Sequence, residues 1–306
     1  MIPTVSPSAQ LFLADISNVQ SQINTAERQI SSGLKISQPS DSPDQMEALM
    51  QIRADLARNT QVAKNLSVVK SETDPAEKAL ETATQLVDRA TSLAAKGATS
   101  TETATSRTAM AQEVTGLLQQ MVGLSQTQVL GRYVFSGDQA SLASYQIDLA
   151  APNGVDRLIT PTATRQVVDA SGVSFTVAHT AQDIFDHRNP DDSLAPDNVF
   201  AALNGLIVSL QSNNQAGITA AIDSLHTAGD YLNTQLSFYG SVQARIQDAQ
   251  TFSSNYQVQL QTQLSQVQDA DITQAAIQLS QSSTQLNAAM SAEAKIPRTS
   301  LFDFLG

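Results

Sequence analysis

The chain reads as a mainly α-helical protein interrupted once by a β-rich insertion, and three patterns predict this. Towards the C-terminus Val242, Ile246, Ala249, Phe252, Tyr256, Leu260, Leu264 and Val267 recur at alternating three- and four-residue steps, the period of a helix with one narrow apolar seam. Phe12, Ile16, Val19, Ile23, Ala26 and Ile30 repeat that pattern near the N-terminus. Between the two, Tyr145-Gln146-Ile147-Asp148-Leu149 and Val173-Ser174-Phe175-Thr176-Val177 alternate apolar and polar residues as strands do.

The first helix is expected to end near Ser32-Gly33, where glycine supplies a left-handed C-terminal residue. At ~1.5 Å per residue its twenty or so residues make a rod of roughly 30 Å. Gln38 to Asp44 is a break rich in capping residues, and Asp41 and Asp44 are expected to cap the next helix. That helix carries Leu49, Ile52, Leu56, Ala63, Leu66 and Val69, with Asn59 in a seam position, where a polar residue fixes register at some cost in stability. Asp74-Pro75-Ala76-Glu77 has the order of an N-cap, a first-turn proline and a third-position glutamate, so a kink or restart is predicted there. Leu80, Ala83, Val87, Ala90 and Ala94 carry the seam on to Gly97. After a polar turn at Thr99 to Thr105, a further helix holds Met110, Val114, Leu117, Met121 and Leu124.

Pro152-Asn153-Gly154 and Ser171-Gly172 are the turns of the β-rich middle, which ends near Pro190 to Pro196. Asp197 is expected to cap a helix containing Val199, Phe200, Leu203, Leu206, Ile207 and Leu210. Ile218, Ile222, Leu225 and Leu232 follow and feed the long C-terminal helix. Near Asp269-Ala270-Asp271 the phase slips, and Ile272, Ala275, Leu279, Ser282, Leu286 and Met290 begin a second register. The expected domain layout is a first arm and loop at 1–44, a helical core in two halves at 45–135 and 197–268 around the insertion at 136–196, and a second arm at 269–306.

Lys+Arg number 17 against 29 Asp+Glu, and the net charge of −12 argues against nucleic acid or an anionic membrane as a partner. Nine Asp and three Arg (Arg157, Arg165, Arg188), with no Glu or Lys, lie between Gly137 and Phe200, which marks a solvated middle. No Cys occurs, so disulfides and thiolate metal sites are excluded. Met1 to Ser6 has no basic n-region and Asp15 interrupts the first apolar run, so neither a cleavable secretory signal nor a membrane span is expected; export by a route that ignores such signals stays open.

The sequence offers no catalytic, cofactor or metal constellation. His179 is placed at a strand end and His226 on a helix flank; His187 lies near Asp183 and Asp186, a grouping expected to be a solvated loop. Asp269 and Asp271, two apart on a helix, diverge instead of converging as an acid pair must. No GxSxG, P-loop or dinucleotide fingerprint is present. What remains is assembly. A buried Leu or Ile contributes roughly 1.5–3 kcal/mol, so two narrow seams barely offset the entropy of ordering two arms. The arms are expected to gain order from neighbouring copies, with Phe12, Ile16, Val19, Ile23, Ile30, Ile272, Leu279, Leu286 and Met290 as interface candidates.

Ser31-Ser32-Gly33-Leu34-Lys35-Ile36 followed by Ser40-Asp41-Ser42-Pro43 resembles the end of the first helix and the spoke loop of bacterial flagellins and their junction proteins. Arg53, Asn65, Arg107 and Glu113 fall on that family's N-terminal helices. Gly131-Arg132-Tyr133-Val134-Phe135-Ser136-Gly137 is similar to its exit into the variable domain, most strongly in the hook–filament junction branch. Gly240 to Arg245, Leu264-Ser265 with Asp269-Ala270-Asp271, and Ser300 to Leu305 match the C-terminal half, so the resemblance covers about two-thirds of the chain.

The resemblance implies a structural protein exported by the flagellar type III apparatus to the bacterial flagellum outside the cell. There it would form a ring of copies between the hook-associated protein FlgK and the flagellin filament, with the terminal helices paired as a coiled coil. It also implies a FlgN-like export chaperone on the C-terminal seam, a spoke loop that includes Gly33, Asp41 and Pro43, and an interface extending to Leu301 and Leu305. Two features depart from the pattern. Met1 to Gln10 lacks both the Ile-Asn-Thr-Asn start of flagellins and the Arg-Ile-Ser/Thr opening of the junction branch, and Pro75 is unexpected inside a long helix. A short flagellin that forms the filament itself is the alternative within the class. A secreted enzyme or surface-binding protein using the Asp-rich middle is the alternative outside it.

Overall fold

The computed structural model describes residues 7–295. Seven helices run in the order α1 (Pro7–Ser32), α2 (Met46–Gly97), α3 (Ala104–Ser125), α4 (Ala181–Phe185), α5 (Val199–Gln211), α6 (Gln215–Gln268) and α7 (Ile272–Lys295). Six short strands lie between α3 and α4: β1 (Gln128–Val129), β2 (Arg132–Tyr133), β3 (Tyr145–Ile147), β4 (Val155–Arg157), β5 (Gln166–Val168) and β6 (Ser174–Thr176). The chain divides into two compact units, one made of residues 1–58 and 256–306 and the other of 59–255. None of the described helices is long and apolar enough to cross a membrane.

The larger unit is built on one apolar core. Leu80, Ala83 and Val87 of α2, Val114, Leu118 and Met121 of α3, Phe200, Leu203 and Leu206 of α5, and Leu225 and Leu232 of α6 are all buried in it. The strand segments do not close into a sheet; they form three separate two-stranded antiparallel ribbons, β1–β2, β3–β4 and β5–β6. The predicted strands at 145–149 and 173–177 are thus each trimmed to three residues. The β3–β4 ribbon shares the helical core instead of making its own, since Tyr145 and Val155 are buried among its helices together with Phe135 and Phe185 from the flanking segments. Phe135 stands edge-on to both Phe185 and Tyr239. Both predicted turns are found: Gly154 and Gly172 take the left-handed backbone that favours glycine, at φ 77° and 89°. A second, smaller cluster packs Val167, Phe175 and Val177 of the third ribbon on Leu66 and Val69 of α2 and Val242 and Ile246 of α6, with the Arg245 guanidinium 4.1 Å from the centre of the Phe175 ring.

Helix ends follow local chemistry. Thr103 caps α3 by accepting the Ser106 amide, and Thr180 with Asp183 forms a full capping box on α4. At α5 the cap is Asn198, which accepts the Ala201 amide. Asp197, expected in that role, instead takes Nδ1 of His187 at 2.7 Å. Arg107 is buried and closes the turn between α2 and α3: Nε donates to the Gly97 carbonyl at 2.8 Å, Nη2 to that of Thr99 at 3.0 Å, and Nη1 to the Asn213 side chain.

Pro75 neither breaks nor restarts a helix, because α2 runs unbroken from Met46 to Gly97 with the proline inside it. The flanking seam residues Thr73, Ala76 and Leu80 are buried, and that continuous burial offsets a missing N–H that costs about 3 kcal/mol in a free helix. Asp74 is no N-cap either; its carboxylate takes the Lys70 ammonium one turn back. Along the outward faces, hydroxyls of Thr82, Ser92, Thr108, Thr219, Ser224, Thr227, Thr234 and Ser237 donate to the carbonyl four residues earlier in their own helix.

Candidate assembly surface

In the smaller unit α1 and α7 lie antiparallel: the Ala270 amide donates to the Gly33 carbonyl at one end, and Gln22 Oε1 accepts from Gln278 and Ser282 further along. The predicted stripe on α1 faces inward, with Ile23 and Ala26 buried and Phe12, Ile16, Val19 and Ile30 half-buried. On α7 the stripe is Ala275, Leu279, Ser282, Leu286 and Ala289. Ile272 and Met290, expected in the seam, are exposed at 45% and 57%. Met290 lies about 100° round the helix from Ala289, which takes its place. Ile272 opens α7 beside Asp271, whose carboxylate caps the Gln274 amide at 3.0 Å, and its side chain is left in solvent. Leu301 and Leu305 lie outside the described residues. Leu11 and Leu13 of α1 are exposed at 69% and 60%, two large apolar side chains that fall off the seam and carry no periodic signal in the sequence.

The loop after α1 is organised by one carboxylate. Gly33 adopts φ 72° and ends the helix as predicted. Lys35 and Ile36 amides then both donate to the Gln268 carbonyl, at 2.7 and 3.3 Å, joining the loop to the end of α6. Asp41 does not cap α2. Its Oδ2 accepts the Gln38 amide at 2.8 Å and the Ser37 amide and hydroxyl at 3.0 Å each, so it closes its own loop. The Gln38 amide first, then the Ser37 amide and hydroxyl and the Arg28 charge, hold the Asp41 carboxyl below the usual range. Asp44, also expected as a cap, takes the Ser42 hydroxyl at 2.8 Å. Pro43 is exposed in the turn that follows.

Asn59 is the polar seam residue predicted from sequence, and it is buried against Ser253: its Nδ2 donates to the Ser253 carbonyl at 2.8 Å, while the Ser253 hydroxyl donates to its Oδ1 at 2.9 Å. Ser253 therefore holds the seam position expected of Phe252, which is half exposed. The step from Ala249 is four residues, not three, and the polar pair sets it.

The Asp-rich middle contains one polar centre, and it is not a solvated loop. Asp186 is fully buried and accepts from Tyr145 Oη at 3.1 Å, Asn153 Nδ2 at 2.8 Å, Asn198 Nδ2 at 2.8 Å and Arg188 Nε at 2.9 Å. Burial, followed by the Asp186 charge, pushes the Tyr145 phenol well above its ordinary value. With every carboxylate lone-pair direction engaged, this is a structural clasp across β3, the β3–β4 turn and the start of α5. His187 stacks on Tyr231 at 4.8 Å, and His179 stacks on Phe238 at 3.8 Å while its Nδ1 meets Gln235. Among the described residues no group of His, Asp and Glu is arranged to hold a metal.

Two sequence profiles match the chain: the bacterial flagellin N-terminal helical region at residues 6–140 and the bacterial flagellin C-terminal helical region at 218–305. No curated protein sequence matches it. Among solved structures, a Vibrio parahaemolyticus protein assigned as flagellar hook-associated is similar over 75% of this chain and 100% of its own, at 18% identity and TM-score 0.64. FlgL of Bacillus cereus is similar over 70% of this chain and 99% of its own, at 19% identity and TM-score 0.56. Flagellar hook-associated protein-3 of Legionella pneumophila covers 71% of this chain and 98% of its own, at 12% identity and TM-score 0.62. At these identities the likeness is one of fold.

Proposed function

We propose that this chain, which belongs to the bacterial flagellin family, is a structural subunit of the flagellum and forms the ring that joins the hook-associated protein FlgK to the filament. The observation that carries the reading is the arm pair. The two profile matches flank the β-rich middle, and among the described residues the paired helices they bring together bury Ile23, Ala26, Ala275 and Ser282 while Phe12, Ile16, Val19, Leu279 and Leu286 stay half-buried. A seam so thinly filled leaves apolar surface for neighbouring copies to cover. The resemblance of the whole fold to hook-associated proteins supports the junction over the filament as its place.

In this reading the copies contact one another through Phe12, Ile16, Val19, Ile23 and Ile30 with Ile272, Leu279, Leu286 and Met290. Gly33, Asp41 and Pro43 serve as the spoke loop. Before export a FlgN-like chaperone shields the α7 seam, and in the assembled organelle FlgK lies on one side of the ring and flagellin on the other. Deletion of the gene, followed by electron microscopy of the cells, tests the assignment: hooks should persist while filaments are shed as free polymer. Long filaments grown from the purified chain alone would instead make it the filament subunit.

A further inference from the structure

A cavity of about 320 Å³ lies between the last turns of α1 and the loop that follows, lined by Thr25, Arg28, Lys35, Ser37, Ser40 and Asp41 among others. Its charges do not balance. Asp41, the carboxylate in the lining, spends Oδ2 on Ser37 and Gln38. Arg28 reaches Asp41 Oδ1 at 3.7 Å and the Thr25 hydroxyl at 3.4 Å, both longer than the 2.7–2.9 Å or so of a formed charge-assisted bond. The Lys35 ammonium has no acidic partner within ion-pair distance among the described residues, and it also borders a second opening beside Ala270, Gln274 and Asp271, the last of which holds the Gln274 amide with its Oδ1. Two under-used cations thus face an open, hydroxyl-lined cavity in a chain whose net charge is −12.

We propose that this cavity receives a carboxylate side chain from a second copy of the chain, gripped between Arg28 and Lys35. The same unit supplies candidates: Asp15, Glu27, Glu47 and Glu293 are exposed and carry no ion pair among the described residues. A socket and an acid at different places on one subunit make a head-to-tail contact, which closes into a ring when the rotation permits. The inference rests on the ring reading and adds the charge contact that sets the spacing of neighbours.

The test uses full-length chains prepared with light and heavy nitrogen, mixed, and added to hooks from the deletion strain. A carbodiimide then couples amines to carboxylates in contact, and mass spectrometry identifies the linked peptides. Amide links from Lys35 to an Asp or Glu peptide of the other isotope are expected. Lys35→Arg should lose the link, since a guanidinium is not coupled, and Lys35→Glu should join hooks at least about tenfold less well than the parent while keeping the parent's circular dichroism. Links from Lys35 only within its own chain or only to a hook protein, or normal incorporation of Lys35→Glu, overturn the proposal. The same coupling on the purified mixture separates the two readings. A parent chain that never joins hooks sinks the junction assignment, and the presence or absence of mixed-isotope Lys35 links in solution then decides the cavity.

Discussion

The two units solve the same problem, a helix with one apolar stripe, to different degrees. In the unit spanning residues 59–255, the stripe of α2 is sealed: Leu66, Leu80, Ala83, Val87 and Ala90 are buried, and buried polar groups such as Asn59, Asp186 and Arg107 are each bonded. In the other unit an equally regular stripe on α1 buries Ile23 and Ala26 and leaves its remaining large residues half in solvent. Seam regularity is therefore no measure of self-sufficiency. What differs is the number of elements each stripe packs against. α2 meets α3, α5, α6 and the β3–β4 ribbon in one cluster and the β5–β6 ribbon in a second, whereas α1 has α7 as its long partner.

That contrast can be broken, and the largest effect should come from the clasp of the larger unit. Asp186→Ala leaves Tyr145, Asn153, Asn198 and the Arg188 guanidinium without their shared acceptor, and should cost about 3–5 kcal/mol in urea denaturation. Asn59→Ala takes the acceptor from the buried Ser253 hydroxyl and the second donor from its carbonyl, which stays engaged within α6, and should cost about 1–2 kcal/mol by the same measurement. Pro75→Ala should act in the opposite sense. Restoring the missing helical N–H recovers up to ~3 kcal/mol, less about 0.4–1 kcal/mol for a freer unfolded chain, so a net gain near ~2 kcal/mol should appear as a raised Tm.

Leu279→Asp and Leu286→Asp should leave the unfolding of the larger unit within about 0.5 kcal/mol of the parent, yet abolish ring assembly and motility; swimming cells would count heavily against the arm surface. The smallest effect is on pH. The Asp41 carboxyl is held below its ordinary value by the loop, so its contribution is complete at neutral pH and fades as the pH falls below about 4 and through the lowered value. Faster amide exchange at Ser37 and Gln38 in that window, with the larger unit unchanged, is the expected readout.

The helices were legible in the sequence because their seams repeat every three or four residues over long stretches, and even Asn59 announced itself as a polar residue on an apolar stripe. The misreadings share a cause. Asp186 finds its partners at Tyr145, Asn153, Arg188 and Asn198, most of them distant in sequence, so nearby charge alone made it look like a solvated loop. Pro75 looked like a boundary because local capping chemistry was complete there; the buried residues on either side outweighed it. Hydrophobicity alone favours Phe252 for the seam, whereas the pairing of Ser253 with Asn59 sets the phase there. At Met290 the same bias favoured the larger side chain over Ala289.

The hydroxyls that turn back onto their own helices carry a consequence for whatever touches them. A serine or threonine already donating its proton to the carbonyl one turn earlier demands no new donor–acceptor match when water is displaced from it. Covering such a face therefore strands few polar groups. Helix flanks of this kind are undiscriminating: a neighbour can be shifted along them or exchanged for a different one without a penalty for mismatch. Selectivity must then come from the few places where charge or shape is unpaired, and the rest of the exterior is free to tolerate sliding.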